Sequence, residues 1–239
     1  MKSIKLLSYI FLFLSLKAFS QNCNTDQWLK NYKVELDQEL IDSNNVSEFD
    51  FSDILLDYRT NYLGFIGENK KRLHITFESI KKKDNNQYQV IGSTTVEGNS
   101  RNFEGSINVK QICSFENFNY GVDDWMKGKV KDQGVLIGEF TFSENSNYSA
   151  TGLFKGVFVA RWYLNLDRHL IYDNIDSDSD SYSNNQFLGT WTSYKTNKVS
   201  QCAWGHYKIP CAGDLNIGAA EFSPNEKYFD FGWENYSKK

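Results

Sequence analysis

Proline is almost absent from this chain, two in 239 residues, and several signatures that would announce a function are missing with it. After residue 20, no stretch approaches the roughly 18 consecutive apolar residues that a spanning helix needs. No transmembrane segment is therefore expected in the mature chain. Positive charge is also scarce: 26 Lys and Arg stand against 30 Asp and Glu, for a formal net charge of −4. The one basic run, Lys81-Lys82-Lys83, passes directly into Asp84-Asn85-Asn86 and reads as a solvated turn. Nucleic acid, whose phosphates demand a positive footprint, is excluded as a partner on these grounds.

Catalytic and metal-binding patterns fail in the same way. The cysteines show no CxxC spacing, and His74, His169 and His206 are scattered, so neither zinc nor any cofactor is expected. No Gly-x-Ser-x-Gly elbow exists for nucleophilic catalysis. Asp176, Asp178 and Asp180 alternate as calcium-loop carboxylates do. Ser181 and Phe187, however, stand where that loop needs glycine and glutamate, and a solvated acidic loop is the simpler reading. Carboxylate pairs for glycan cleavage are set by the fold rather than by spacing. Asp123, Asp124 and Glu221 are the first places to look for one.

What is present begins at the N-terminus. Lys2 and Lys5 precede an apolar run from Ile4 to Leu16, and Ala18-Phe19-Ser20 puts small residues before Gln21. This pattern is a secretory leader over residues 1–20 with cleavage after Ser20. It places the protein in the periplasm, at the cell surface or outside the cell. Four cysteines in an exported chain point to disulfides. Sequence proximity favours Cys202 with Cys211, closing a small loop, and leaves Cys23 for Cys113. Lipidation of Cys23 is disfavoured, because Asn22 stands where a lipoprotein signal wants a small residue.

The mature chain then divides in texture. From Asn24 to Leu40, Trp28, Leu29, Tyr32, Leu36 and Leu40 recur near the helical period, with Asn24 and Gln27 placed as a cap. Residues 21–58 are expected to be helical in part, with a second short turn at Asp53–Tyr58. From Tyr62 onward, short alternating runs separated by turn residues signal antiparallel β-structure. Leu73, Ile75 and Phe77 share one face opposite His74, Thr76 and Glu78. Phe154, Gly156, Phe158, Ala160, Trp162 and Leu164 alternate with Lys155, Val157, Val159, Arg161 and Tyr163. Asp167-Arg168-His169 marks a hairpin tip. Aromatic residues reach 16%, which pleated sheets carry well. The fold class expected is mainly β, antiparallel meanders forming one barrel or sandwich over residues 59–239, with a short N-terminal helix.

Three resemblances follow. Tyr62-Leu63-Gly64 and Phe187-Leu188-Gly189 repeat an aromatic-x-Gly pattern that suits strands meeting at a barrel corner. Gly189-Thr190-Trp191 resembles the Gly-x-Trp start of lipocalin-type barrels, although here it lies near the C-terminus. The phrases Gly189-Thr190-Trp191-Thr192, Cys202-Ala203-Trp204-Gly205, Gly213-Asp214-Leu215 and Glu221-Phe222-Ser223-Pro224-Asn225 together resemble a family of exported bacterial proteins without an assigned activity. That resemblance implies one integrated domain from Asp57 to Trp233 and transfers no catalytic residue.

The functional expectation is a non-enzymatic binding protein. Its partner would be a small apolar molecule inside a barrel, a glycan, or an envelope protein. Rigid aromatics around the Cys202–Cys211 loop make good anchors, and Trp191, Trp204, Tyr207 and Asp214 are the expected contacts. The alternatives are a secreted glycan hydrolase using paired carboxylates and a structural envelope component.

Overall fold

The computed structural model describes residues 23–36, 40–42, 48–57, 59–180 and 182–236. The leader expected at 1–20 lies outside them. The chain begins with helix α1 (Thr25–Glu35), strand β1 (Leu40–Asp42) and short helix α2 (Ser52–Leu56). Strands β2 (Leu63–Ile66), β3 (Lys71–Lys82), β4 (Gln87–Val96), β5 (Asn99–Phe115), β6 (Val130–Glu144) and β7 (Gly152–Asn165) follow. Then come β8 (Leu170–Tyr172), β9 (Asn184–Ser193) and β10 (Val199–His206), and finally 3-10 turns at Gly213–Leu215 and Glu226–Phe231. No described helix is long and apolar enough to cross a membrane.

All ten strands pair antiparallel in one sheet, whose order β5-β4-β3-β2-β10-β9-β7-β6 returns to β5 through the β5–β6 ladder. The result is mainly β and ring-like, but not a clean barrel. Strand lengths run from 3 to 17 residues, and register shifts interrupt the β3–β4, β5–β6, β6–β7 and β9–β10 ladders. The short strands β1 and β8 extend the sheet beside the far ends of β5 and β7.

Alternation decides which side chains enter the ring. On β3, Leu73, Ile75 and Phe77 are buried while His74, Thr76 and Glu78 are exposed. On β7 the inner face holds Phe154, Phe158, Ala160, Trp162 and Leu164, all buried. Aromatic rings fill the interior. Phe187 stacks on Trp204 at 5.2 Å and on Phe158 at 5.5 Å, and Phe103 stacks on Phe142 at 4.9 Å. Offset contacts of this kind add to the stabilisation from burial alone. Gly156 and Gly189 face each other across β7 and β9. A Cβ on Gly156 would lie 2.2 Å from the Leu188 carbonyl oxygen, so these strands meet closely because neither residue carries a side chain.

Each end of the ring is closed differently. At one end α2 inserts Phe51, Ile54 and Leu55 into the core, and the Phe51 amide donates to the Tyr88 hydroxyl at 3.2 Å. At the other, the buried Glu144 carboxylate accepts from Thr94 Oγ1 (2.7 Å), the Gly152 amide (2.8 Å) and Trp191 Nε1 (2.9 Å). Three donors replace the water that a buried carboxylate gives up.

Two coats cover the outer face. Trp28, Leu29, Tyr32 and Leu36 of α1 lie over Cys113, Phe115, Val135, Ile137 and Val159. The C-terminal segment lays Ile209, Leu215, Phe222, Tyr228 and Trp233 over Leu63, Phe65, Leu188 and Ala203. The α1 cap forms as the sequence predicts, with Asn24 Oδ1 accepting from the Gln27 amide at 2.8 Å. The helix nevertheless stops at Glu35, because Leu40 is drawn into β1 opposite Phe115.

The expected disulfide pairing does not form. Cys23 is joined to Cys211, with Cα atoms 5.9 Å apart, and Cys113 and Cys202 are buried free thiols. The reason is the two-residue period of a strand. Cys202 lies on the inner face of β10 within the aromatic core, on the opposite side of the sheet from Cys211 and the outer coat. Cys113 is held under α1, and only Cys23, at the start of that helix, reaches the C-terminal coat.

Candidate functional site

Outside the aromatic-packed ring, the surface opens into a cleft. This cleft, of about 1640 Å³, runs between α1, the loop before β9 and the segment after β10. Its floor is the outer face of β6, β7 and β9, which presents Gln133, Arg161 and Gln186. One wall is α1, held at its first turn by the Cys23–Cys211 bond, and presents Asn24, Gln27, Trp28, Asn31 and Tyr32. Asp173 and Tyr182 form a second wall, and Lys208, Asp214 and Tyr228 a third.

Arg161 is the best-positioned residue of the floor. The Asn184 side chain clamps its backbone, accepting from the Arg161 amide at 2.6 Å and donating to its carbonyl at 3.1 Å. Arg161 Nε donates to the Tyr32 hydroxyl at 3.1 Å, and the Tyr32 ring centre lies 5.8 Å from the guanidinium carbon. The Tyr32 phenol raises the guanidinium's proton affinity further, while burial works against it. Among the described residues, the guanidinium makes no other hydrogen bond and no ion pair.

Asp173 attracts Arg161 through space but holds hydrogen bonds of its own. Asp173 is buried and accepts from Gln133 Nε2 at 2.8 Å and from the Ile175 amide at 3.1 Å. Burial pushes its pKa upward against those two hydrogen bonds. Gln133 Oε1 in turn accepts from the Asn119 amide at 2.7 Å. The Tyr182 hydroxyl donates to the Asp173 carbonyl, so this wall is fixed from behind.

The four expected contacts do not converge. Asp214 lines the cleft, exposed at its rim, where Tyr228 donates to it at 2.8 Å and Lys227 pairs with it. The Lys227 hydrogen bond, then that of Tyr228, holds its pKa down at about 2. Tyr207 stands behind the wall, edge-on to Tyr182 at 4.9 Å. Trp204 is wholly inside the aromatic core, and Trp191 closes the Glu144 end of the ring. Arg161 was the missed residue. Its sequence signal is a cation between Val159 and Tyr163 on the outer face of its strand, half-buried where Lys155 on the same face is exposed.

The histidines are separate. His206 is buried, with Nδ1 2.9 Å from the Tyr172 hydroxyl and its ring 4.1 Å from that of Tyr62, and burial lowers its pKa to about 3. His74 is exposed on β3 and His169 sits at the β7–β8 tip. Asp123, Asp124 and Glu221 are exposed and do not line the cleft, while Asp176 does. Among the described residues no group of three or more His, Cys, Asp or Glu side chains is placed to hold a metal ion. No family model, curated protein or solved structure matches the chain.

Proposed function

We propose that this protein is an exported, non-enzymatic binder of a hydroxyl-rich ligand, a glycan, held in the outer cleft. One observation carries the reading: amide side chains line the cleft and keep polar atoms open toward it. Gln27 donates to Asn31 Oδ1 at 2.7 Å, which leaves Gln27 Oε1 and Asn31 Nδ2 without partners among the described residues. Gln201 donates to the Cys23 carbonyl and Gln186 to the Lys208 carbonyl, and each leaves its side-chain oxygen in the same state. An amide offers donor and acceptor together, which matches a sugar hydroxyl that needs both. Trp28 adds flat apolar area beside them.

Size and chemistry agree with this. The cleft exceeds the roughly 300–1,000 Å³ of a drug-sized pocket and suits an oligosaccharide. Asp173, the buried carboxylate of the cleft, is hydrogen-bonded into the wall by Gln133 and the Ile175 amide, as a group that shapes a binding surface is. A leader over residues 1–20 and the Cys23–Cys211 bond favour a place outside the cytoplasm.

The test is a thermal-shift screen of the mature chain against oligosaccharides, lipids, calcium and small apolar compounds, since native-state binding raises the midpoint by mass action. A shift with oligosaccharides is expected, reduced several-fold in apparent affinity by the exposed pair Gln27→Ala with Asn31→Ala. A shift confined to apolar compounds, or one indifferent to that pair, would overturn the reading.

A further inference from the structure

We infer that Arg161 is the anchor for a carboxylate on the cleft's ligand, so that the glycan bound there carries uronic acid residues among neutral sugars. This deepens the glycan reading and rests on it. The argument starts from a charge left open. A guanidinium presents five N–H donors in a planar fork, and in Arg161 only the Nε–H is used, by Tyr32. Both terminal nitrogens lack partners among the described residues while the residue forms part of the cleft floor. A half-buried guanidinium whose terminal donors are unpaired is costly unless a ligand satisfies them. Asp173 attracts the guanidinium through space but makes no ion pair or hydrogen bond with it, its carboxylate being turned to Gln133 and the Ile175 amide, so the terminal N–H groups stay open.

Geometry favours a carboxylate in particular. Two parallel N–H groups match two carboxylate oxygens, the fork-to-fork contact that arginine makes and lysine cannot. The fork is also held still before any ligand arrives. Arg161 sits within a fourteen-residue strand, its backbone clamped by Asn184 and its Nε fixed by Tyr32. Such preorganisation lowers the entropy lost on binding.

Charge elsewhere sets the density of the anion. Glu35, Glu68, Asp173 and Asp176 line the cleft against Lys70 and Lys208, Asp214 at the rim is paired with Lys227, and the chain is net acidic. With cations and carboxylates mixed in the lining, the cleft offers no continuous basic track for a densely charged chain such as a sulfated glycan. A ligand with one carboxylate among neutral sugars places its charge on Arg161 and its hydroxyls on the amides.

The experiment pairs one ligand set with its own neutral form. Uronate-bearing oligosaccharides are titrated into the full mature protein before and after chemical reduction of their carboxyl groups to alcohols. Dextran sulfate fragments, which carry sulfates and no carboxylate, and a peptide with a free C-terminal carboxylate serve as further arms. The native set is expected to bind at least tenfold more tightly than the reduced set, the discrimination expected of a hydrogen-bonded charge pair. Arg161→Gln should erase that difference, and Arg161→Lys should restore only part of it. Should Arg161→Gln fail to fold, the native-against-reduced comparison and Arg161→Lys still decide. Equal binding of the two sets would overturn the anchor and leave the glycan reading standing. Binding of neither set would overturn both, and preference for dextran sulfate or for the peptide would overturn the uronate assignment.

Discussion

The Cys23–Cys211 bond yields the sharpest prediction, because sequence proximity argues for a different pairing. The cross-link joins residues separated by 188 positions. In the chain-entropy model, a loop of that length stabilises the fold by about 5 kcal/mol through restriction of the unfolded ensemble. Cys23→Ser should therefore lower the urea midpoint by about 1.5–2 M, taking a slope of about 3 kcal/mol per M. Cys211→Ser and the double variant should match it, since each removes the same bond. The ring should persist in all three, because α1 is also seated by Tyr32 and Leu36 over the Val135–Ile137–Val159 patch. Near-UV circular dichroism should be retained while oligosaccharide binding weakens, as one wall of the cleft has lost its tether. Peptide mapping of the unreduced protein checks the pairing directly. Cys113 and Cys202 should resist alkylation until the protein is unfolded, because both thiols are buried and burial raises their pKa. A Cys202–Cys211 cross-link in the map, or an unmoved midpoint in Cys23→Ser, would refute the reasoning.

Two further outcomes follow from the core. His206 has its pKa lowered to about 3, below the ordinary value near 6.5, so the unfolded chain binds its proton more readily than the native one. Stability should fall as pH drops from about 6.5 toward 3, by at most about 1.4 kcal/mol per pH unit from this group. Urea midpoints of the native protein and His206→Gln between pH 7 and pH 4 check this, and an identical slope in both would remove His206 as the cause. At the β7–β9 contact, Gly156→Ala should destabilise by at least about 1–3 kcal/mol, because its Cβ meets the Leu188 carbonyl and the Gly189 Cα. Thermal unfolding measures it, and a midpoint within 1 °C of the native one would contradict the close approach.

Much of the local structure was legible in the chain. The Asn24 cap, the alternation of Leu73, Ile75 and Phe77, the inner face of Phe154 through Leu164 and the tip at Asp167–His169 all stand in the structure where the pattern puts them. Such features depend on neighbours a few residues apart, and the periods of helix and strand carry that information. The candidate site was legible only in fragments. Arg161 could be assigned to the outer face of its strand, but nothing nearby in sequence says that Tyr32, 129 residues away, would take one of its donors and leave the others open.

Sequence alone was sufficient for the β class, the helix start and the faces of the strands, because each is a short-range consequence of residue type and period. Partnership was settled in three dimensions. The ring closes through β5 against β6 and through β2 against β10, where Leu63 meets Gly205. That closure turns Cys202 and Trp204 inward, away from the loop they adjoin, and brings Cys23 to Cys211 across the outer coat. A strand's period says that its two faces differ, and only the packed sheet determines what lies over each.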